Sequence, residues 1–224
     1  MRKFVPGTFD VLQISFKNSS QYSMIKLFWA MIKAILFDWH GVLDKVSLEG
    51  LFRLLSRDTK FPIDELKIKL EGDARQFALG YFTGDDFWTH VRRQTDATPK
   101  QMTKIKDYIN SITPNKELWK FLKILRKSFK LAIFSDCPLE KTKKIRRTLN
   151  LNIFDEIFFS SEVQLDKKML EFFELAVNKL GLGNEEVLFV DDSQKNVEFA
   201  SELKFQVYKF TTTKNFKKMI IKKI

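Results

Sequence analysis

The sequence predicts an α/β protein with a doubly wound parallel sheet, and two observations support this fold class. Short apolar runs recur along the chain, and most of them end directly before a polar residue. Such runs are typical of strands that are buried on both faces of a parallel sheet. Segments with helical periodicity separate the runs, and this alternation of strands with helices is typical of doubly wound proteins.

The predicted strands are rich in β-branched and aromatic residues. They are Ile32–Phe37, Leu131–Phe134, Ile157–Phe159, Val187–Val190 and a weaker run, Val207–Phe210. One intervening helix is predicted to have Thr113 as its N-cap and Pro114 as its first residue, with an apolar stripe from Leu118 to Phe129. A second helix is predicted over residues 169–180, with Gly181 at its end.

Residues 46–112 form a helical-looking segment between the first and second predicted strands, much longer than a crossover between parallel strands requires. We therefore predict a helical subdomain over 46–112, inserted into an α/β core that comprises residues 31–45 and 113–224. Glycines are expected to punctuate the insertion, and two acidic residues are expected to open one of its helices. These residues are Gly72, Gly80, Gly84, Asp85 and Asp86.

Residues 1–30 do not fit the pattern of the core. Turn signals at Pro6 and Asn18 flank one candidate strand, Val11–Phe16. We interpret residues 1–30 as an N-terminal extension. It is either an appendage to the fold or the product of an upstream start that is not used, because Met31 directly precedes the first core strand.

The net charge of +11 lies at the two ends of the chain. Residues 1–30 carry +3 and residues 203–224 carry +7, whereas residues 31–202 carry only +1. A lysine-rich face is more often solvated than bound to nucleic acid, and these lysines lack a series of aromatic platforms. We therefore do not expect a nucleic-acid partner. If there were one, residues 141–147 and the C-terminal lysines would form the basic patch that binds it.

Other features exclude several classes of protein. Hydrophobic residues make up 44% of the chain, which supports a substantial core and excludes wholesale disorder. The single cysteine, Cys137, excludes an intrachain disulfide framework and a multi-cysteine zinc site. Lys26 and Lys33 interrupt the most apolar stretch, and the first 30 residues lack the pattern of a signal peptide. We expect a cytoplasmic protein without a membrane span, either a monomer or a homodimer.

Oxygen-bearing side chains follow three of the predicted strands. Asp38 follows the first strand, Ser135 the second, and Asp191 with Asp192 the fourth. Ligands of open parallel sheets bind at the carboxyl ends of the strands. A lone Asp there is often only a helix cap, but this group of residues suits Mg²⁺, and a carboxylate beside such an ion can act as a nucleophile.

Four segments that contain these residues resemble, in order and spacing, the motifs of the haloacid dehalogenase-like (HAD) hydrolase superfamily. They are residues 35–43, residues 132–135, residues 160–163 with Lys167, and residues 187–193 with Asn196. The resemblance extends from residue 31 to about residue 212 and includes an α-helical cap inserted after the first motif. It implies a phosphatase-type member of the superfamily.

The resemblance implies a catalytic role for three of these residues. Asp38 would be the nucleophile that forms a phosphoaspartyl intermediate, and Ser135 would donate a hydrogen bond to a phosphoryl oxygen. Lys167 would offset the charge of the nucleophile and the phosphate. Lys168 is the alternative to Lys167, because Lys168 and Met169 stand where the family usually has a proline after its lysine.

The resemblance also implies a Mg²⁺ ion, held by Asp38, the main-chain carbonyl of His40 and Asp192, with Asp191 close by. His40 departs from the family pattern, in which phosphatases usually have a second Asp here that serves as general acid and base. A histidine, with a reference pKa of about 6.5, can transfer protons, and a nearby cation would favour the neutral base. Alternatively, His40 only fills space. The reaction would then lack a general acid and base, and the rate would fall least for substrates with good leaving groups.

Three further residues are minor candidates. Asp136 is expected either to adjust the charge of the site or to cap the helix that begins near Pro138. Cys137 lies near Ser135 in the sequence, but no histidine adjoins it, so we do not expect a nucleophile there. His90 is expected to be a surface or packing residue of the cap.

We predict a Mg²⁺-dependent phosphatase that acts on a small phosphorylated metabolite through an aspartyl-phosphate intermediate on Asp38. One alternative is a haloacid dehalogenase-type carbon-centre hydrolase, because that branch of the superfamily also lacks the second Asp. The adjacent acids Asp191 and Asp192 favour the phosphatase, since metal-free chemistry has less use for them. Another alternative is a catalytically impaired relative that binds phosphate, with His40 in place of the usual Asp.

Overall fold

The computed structural model describes residues 31–221, which fold around a five-stranded sheet with the strand order β3-β2-β1-β4-β5. All neighbouring strands in this sheet are parallel. The strands are β1 (Ala34–Phe37), β2 (Lys130–Ser135), β3 (Glu156–Phe159), β4 (Val187–Asp191) and β5 (Gln206–Lys209). They lie at the predicted apolar runs, and the predicted α/β fold class with a doubly wound parallel sheet is confirmed.

Helices alternate with the strands. Between β1 and β2 lie α1 (Leu48–Thr59), α2 (Ile63–Ala78), α3 (Gly84–Thr95), α4 (Pro99–Asn110) and α5 (Lys116–Leu125). The later helices are α6 (Leu139–Thr148) after β2, α7 (Ser160–Val163) and α8 (Leu170–Leu180) after β3, α9 (Gln194–Glu202) after β4 and α10 (Thr213–Ile221) after β5.

Both faces of the sheet are buried, as its continuous apolar strands predict. In β1, Ile35 and Phe37 belong to one hydrophobic cluster, whereas Ala34 and Leu36 belong to another. Successive side chains of a strand point to opposite faces, so the two clusters are the two core layers between the sheet and its helices. Truncating a buried phenylalanine such as Phe37 to alanine typically costs about 3–5 kcal/mol of stability.

Helices α1–α4, called the four-helix unit below, have a hydrophobic cluster of their own. The unit contacts the core just beyond the carboxyl ends of β2 and β3. Ser160 Oγ donates a hydrogen bond to the carbonyl of Ala78 (2.6 Å), and the amide of Gly84 donates one to Glu140 Oε1 (2.9 Å). The unit therefore lies beside the end of the sheet at which the polar side chains are predicted.

The start of α5 differs from the prediction. Its N-cap is Asn115, whose side chain accepts a hydrogen bond from the amide of Leu118 (3.3 Å), so the prediction of Thr113 as N-cap is wrong. The amide of Thr113 is instead held by Asp44 Oδ1 (2.8 Å), and Pro114 pairs with Asp44 in an isolated bridge. These contacts hold both residues outside the helix.

The expectation that Gly72 interrupts the inserted segment is also wrong, because Gly72 lies inside α2. A single glycine costs a helix only about 1 kcal/mol relative to alanine, and α2 buries a stripe that includes Leu66, Leu70 and Phe77. The helix predicted at Asp85 and Asp86 is α3, and Gly181, with a φ of 67°, ends α8 as predicted.

The predicted strand Val11–Phe16 and the rest of residues 1–30 lie outside the described residues. Over residues 31–221, no helix is both long enough and apolar enough to cross a membrane.

Candidate active site

Three neighbouring strands bring Asp38, Ser135 and Asp191 together. Asp38 directly follows β1, whereas Ser135 and Asp191 are the last residues of β2 and β4, the two neighbours of β1. Ser135 Oγ donates a hydrogen bond to Asp38 Oδ1 (2.8 Å), although the two residues are 97 positions apart in the chain. The strand-end residues therefore form one site, because the carboxyl ends of parallel strands meet at the same end of the sheet.

Lys167 enters this site from the segment between α7 and α8. Its Nζ lies 2.6 Å from Asp38 Oδ1 and 2.7 Å from Asp191 Oδ2, and its side chain is only 2% exposed. Burial disfavours the ammonium, but the carboxylates of Asp191 and Asp38 outweigh this effect and raise the pKa of Lys167. Lys167 therefore carries a fixed positive charge between the two acids.

The alternative lysine is not at the site. Lys168 Nζ pairs at the surface with Glu71 Oε1 of α2 (2.6 Å), and both side chains are more than half exposed. The structure thus brings Lys167, and not Lys168, to Asp38.

Asp38, Asp191 and Asp192 form an acidic cluster in which one potential ligand oxygen from each residue lies within 4.8 Å of the others. Burial, followed by the charges of Asp38 and Asp191, raises the pKa of Asp192 to about 7. Burial is also the largest cause that raises the pKa of Asp191. Three crowded carboxylates face the single ammonium of Lys167, and such a set of hard oxygen ligands fits a divalent cation such as Mg²⁺.

Gly41 makes room for this cluster. Its φ is +77°, and a Cβ atom at this position would lie 2.0 Å from Asp192 Oδ2. Glycine adopts this conformation without a steric penalty, and here it also allows the Asp192 carboxylate to approach the loop that follows Asp38.

Asp191 is occupied by protein donors. Its Oδ1 accepts the amide of Ser193 (2.7 Å), and its Oδ2 accepts both Lys167 Nζ (2.7 Å) and Asn196 Nδ2 (3.1 Å). These contacts suit a residue that orients Lys167. They leave Asp38 and Asp192 as the better placed carboxylates for a cation, with Asp191 close by, as the family resemblance implies.

His40 is buried in the loop after Asp38, with 5% of its surface exposed. Burial lowers its pKa to about 3, and the positive charge of Lys141 adds to this effect. The imidazole is therefore neutral at physiological pH. A neutral imidazole lacks the proton that an imidazolium would donate as a general acid. Of the two proton-transfer roles considered for His40, only that of a general base is therefore open to it.

Lys141 and Asp44 are neighbours of His40 that the sequence reasoning missed, and the charges of both act on its imidazole. Asp44 accepts hydrogen bonds from Trp39 Nε1 (3.2 Å) and the amide of Val46 (3.3 Å), in addition to that of Thr113. Lys141 Nζ lies 3.6 Å from Asp44 Oδ2, and both side chains are almost fully buried.

Lys141 also joins the core to the four-helix unit. Its Nζ donates to the carbonyls of Ile109, at the end of α4, and Ser111. Assigning Lys141 to a solvated basic patch is therefore wrong. The available signal was its position four residues before Ile145, which places both residues on the buried stripe of α6.

The minor candidates are placed as follows. Asp136 does not cap α6; its Oδ1 accepts the amide of Lys167 (3.1 Å), and burial raises its pKa to about 7. Burial raises the pKa of the Cys137 thiol to about 12, which keeps it protonated and a poor nucleophile. His90 lies on α3, where its Nδ1 is 3.3 Å from Asp73 Oδ2, in a surface pair.

The family model of the haloacid dehalogenase-like hydrolases matches residues 32–203. A comparison with curated protein sequences finds no match. Among solved structures, a predicted HAD-like family hydrolase from Porphyromonas gingivalis is 24% identical with a TM-score of 0.65, over 86% of this chain and 97% of that chain.

Two further structures share the fold. A HAD family enzyme from Bacteroides thetaiotaomicron, in complex with magnesium and inorganic phosphate, is 23% identical with a TM-score of 0.61, over 81% of this chain and 96% of that chain. L-2-haloacid dehalogenase from Xanthobacter autotrophicus is 19% identical with a TM-score of 0.55, over 86% of this chain and 84% of that chain. The match to the family model spans most of the sequence, and the chain therefore belongs to the haloacid dehalogenase-like hydrolases.

Proposed function

We propose that this hydrolase is a Mg²⁺-dependent phosphatase that acts on a small phosphorylated metabolite. The observation that carries the proposal is the environment of Asp38, whose carboxylate contacts Ser135 and Lys167 and belongs to the three-carboxylate cluster. Phosphoryl transfer depends mainly on positioning and on neutralisation of charge. A nucleophile between a buried ammonium and a cation-binding cluster suits that reaction.

In the proposed reaction, a carboxylate oxygen of Asp38 attacks the phosphorus atom. A bond forms between this oxygen and phosphorus as the ester bond breaks, and the leaving alkoxide takes a proton from water. Water then hydrolyses the aspartyl phosphate, releasing inorganic phosphate and restoring Asp38. Ser135 and Lys167 hold the phosphoryl oxygens by hydrogen bonding and charge. Asp38, Asp192 and the main-chain carbonyl of His40 would hold Mg²⁺, which would supply further positive charge at the site.

The leaving group and the role of His40 are linked in this proposal. A neutral His40 with a pKa of about 3 is a weak base and does not protonate a poor leaving group. Aryl and acyl phosphates, whose leaving groups need little protonation, should therefore be the better substrates. The four-helix unit beside the site is proposed to act as the cap that selects among them.

A metal-independent dehalogenase is the second candidate, favoured by the absence of an Asp at position 40 and by the shared fold with L-2-haloacid dehalogenase. The acidic cluster supports the phosphatase more strongly. A reaction without a cation would leave three crowded carboxylates with one ammonium, at a cost in electrostatic repulsion.

Release of phosphate from p-nitrophenyl phosphate, measured with Mg²⁺ and with EDTA, tests the proposal. We expect activity only with Mg²⁺, and its loss in Asp38→Asn. Asp107→Asn, an exposed change on α4, is the matched control and should retain full activity. Turnover by Asp38→Asn would exclude the proposed nucleophile, and halide release from 2-chloropropionate in EDTA would favour the dehalogenase. Phosphate binding without turnover would indicate the impaired relative.

A further inference from the structure

An ion pair connects the four-helix unit to the segment that carries Lys167. Arg75 lies on α2, and its Nε donates to Asp166 Oδ2 across 91 positions of the chain. The side chain of Asp166 is only 4% exposed, whereas that of Arg75 is 43% exposed. A charged carboxylate is costly to bury without a partner of opposite charge, and Arg75 of the other unit supplies one for Asp166.

Asp166 also shapes the turn that contains Lys167. Its Oδ1 accepts the amide of Lys168 (3.0 Å), and its carbonyl accepts the amide of Met169 (2.9 Å). The amide of Lys167 itself is held by Asp136 Oδ1. The side chains of Asp166 and Asp136 therefore hold the main chain around Lys167 in place.

Arg75 supplies a positive charge from the four-helix unit to this turn. The hydrogen bond to Asp166 is the largest cause that raises the pKa of Arg75, and the charge of Asp136 contributes in the same direction. Since Lys167 Nζ is committed to Asp38 and Asp191, it does not neutralise Asp166 directly.

We propose that Arg75 is a positioning residue for Lys167. By pairing with Asp166 it fixes the turn of residues 166–169, and so places the Lys167 ammonium at Asp38 when the four-helix unit lies against the core. The catalytic meaning of this coupling rests on the proposed function, whereas the coupling itself is a property of the fold. Displacement of the unit removes Arg75, exposes the charge of Asp166 and loosens the turn.

A neighbouring ion pair provides a matched control. Glu71, one helical turn before Arg75 on α2, pairs with Lys168 of the same turn, but both side chains are more than half exposed. Exposed pairs of this kind contribute little to stability, because solvent screens their charges. Glu71→Gln and Arg75→Gln therefore each break one ion pair between the same helix and the same turn. The two pairs differ in the burial of the partner residue, and only the Arg75 pair has the proposed positioning role.

Hydrogen exchange of the amides of residues 166–169 tests the coupling without reference to activity. We expect exchange to accelerate at least tenfold in Arg75→Gln and to change less than twofold in Glu71→Gln. Arg75→Lys, which keeps the charge, should restore part of the protection. Asp166→Asn should reproduce the effect of Arg75→Gln, and the double variant should add little to either change.

Kinetics with p-nitrophenyl phosphate supply a second measurement. A misplaced Lys167 should lower kcat at least tenfold in Arg75→Gln with KM nearly unchanged, because Lys167 acts on the reacting atoms. Equal exchange in the Arg75 and Glu71 variants would overturn the proposal. So would an increase in KM with unchanged kcat and unchanged exchange, which would make Arg75 a substrate contact. If wild type hydrolyses no phosphate ester, the proposed function fails, and the exchange result alone still decides the coupling.

Discussion

Gly41 contacts Asp192 so closely that any side chain at position 41 would collide with the carboxylate, at 2.0 Å from its Oδ2. Gly41→Ala should therefore displace Asp192 from the acidic cluster. We expect Mg²⁺ affinity, measured by isothermal titration calorimetry, to fall at least tenfold, a free-energy change of about 1.4 kcal/mol.

Gly181→Ala is the control for backbone strain. Gly181 also has a positive φ, of +67°, but a Cβ atom there would meet nothing within 4 Å. Both variants should lose stability because alanine disfavours this conformation, and only Gly41→Ala should lose Mg²⁺ affinity. Equal Mg²⁺ affinity in the two variants would show that Asp192 does not hold the ion.

Lys167→Met should inactivate the enzyme because it leaves Asp38 and Asp191 without their buried counter-charge. We expect kcat to fall by about 10²–10³-fold, as for the loss of one preorganised charge-stabilising group. Urea unfolding should show a loss of about 3–5 kcal/mol, typical of a buried pair that loses one partner. Lys168→Met removes an exposed lysine and should change neither quantity appreciably; an equally inactive Lys168→Met would contradict this assignment.

Asp136 should make the metal-free protein less stable at higher pH. Burial raises its pKa in the folded protein to about 7, from 3.8. The folded state thus holds this proton more tightly than the unfolded state. The resulting stabilisation is fully present below the unfolded pKa and is lost as the pH rises through about 7.

Asp136→Asn should remove this loss while keeping the acceptor for the Lys167 amide. We expect the free energy of urea unfolding in EDTA to decline less between pH 5 and pH 8 than in wild type, by at least about 1 kcal/mol, the equivalent of less than one pKa unit. Parallel pH profiles of the two proteins would exclude a raised pKa at Asp136.

Lys141→Met should destabilise the junction between the core and the four-helix unit. It removes the donor to the carbonyls of Ile109 and Ser111 and leaves Asp44 without its nearest ammonium. We expect a loss of about 3–5 kcal/mol in urea unfolding. Lys143→Met, an exposed change on the same helix, is the control and should cost less than about 0.5 kcal/mol. A loss of similar size in both variants would show that the buried contacts of Lys141 contribute little.

The sequence predicts the sheet and its polar end well because both depend on local signals. An uninterrupted apolar run identifies a buried strand, and the residue that follows the run must lie at its carboxyl end. Asp38, Ser135 and Asp191 are thereby brought together without knowledge of any contact between them. The resemblance to the family's third motif then implies Lys167, which the structure places beside Asp38.

The residues that were missed or misassigned depend on partners far away in the chain. Lys141 belongs to a helix rich in basic residues, and only its contacts with Asp44 and with the end of α4 distinguish it from its exposed neighbours. Thr113 has the residue type and position of an N-cap, but Asp44 claims its amide from 69 residues away. Local periodicity encodes neither the burial of Lys141 nor the position of Thr113 outside the helix.

The order of the strands divides the active site into a part that resists local unfolding and a part that unfolds more easily. Asp38, Ser135 and Asp191 lie at the carboxyl ends of the three interior strands, whose backbone is paired on both sides. Lys167, in contrast, follows the edge strand β3 through a short helix and a turn. Interior strands open mostly in global unfolding, whereas peripheral segments open at a lower free energy. Under mild heating or denaturant, the lysine should therefore leave first. The enzyme would lose its activity reversibly while the sheet and its three strand-end residues remain folded.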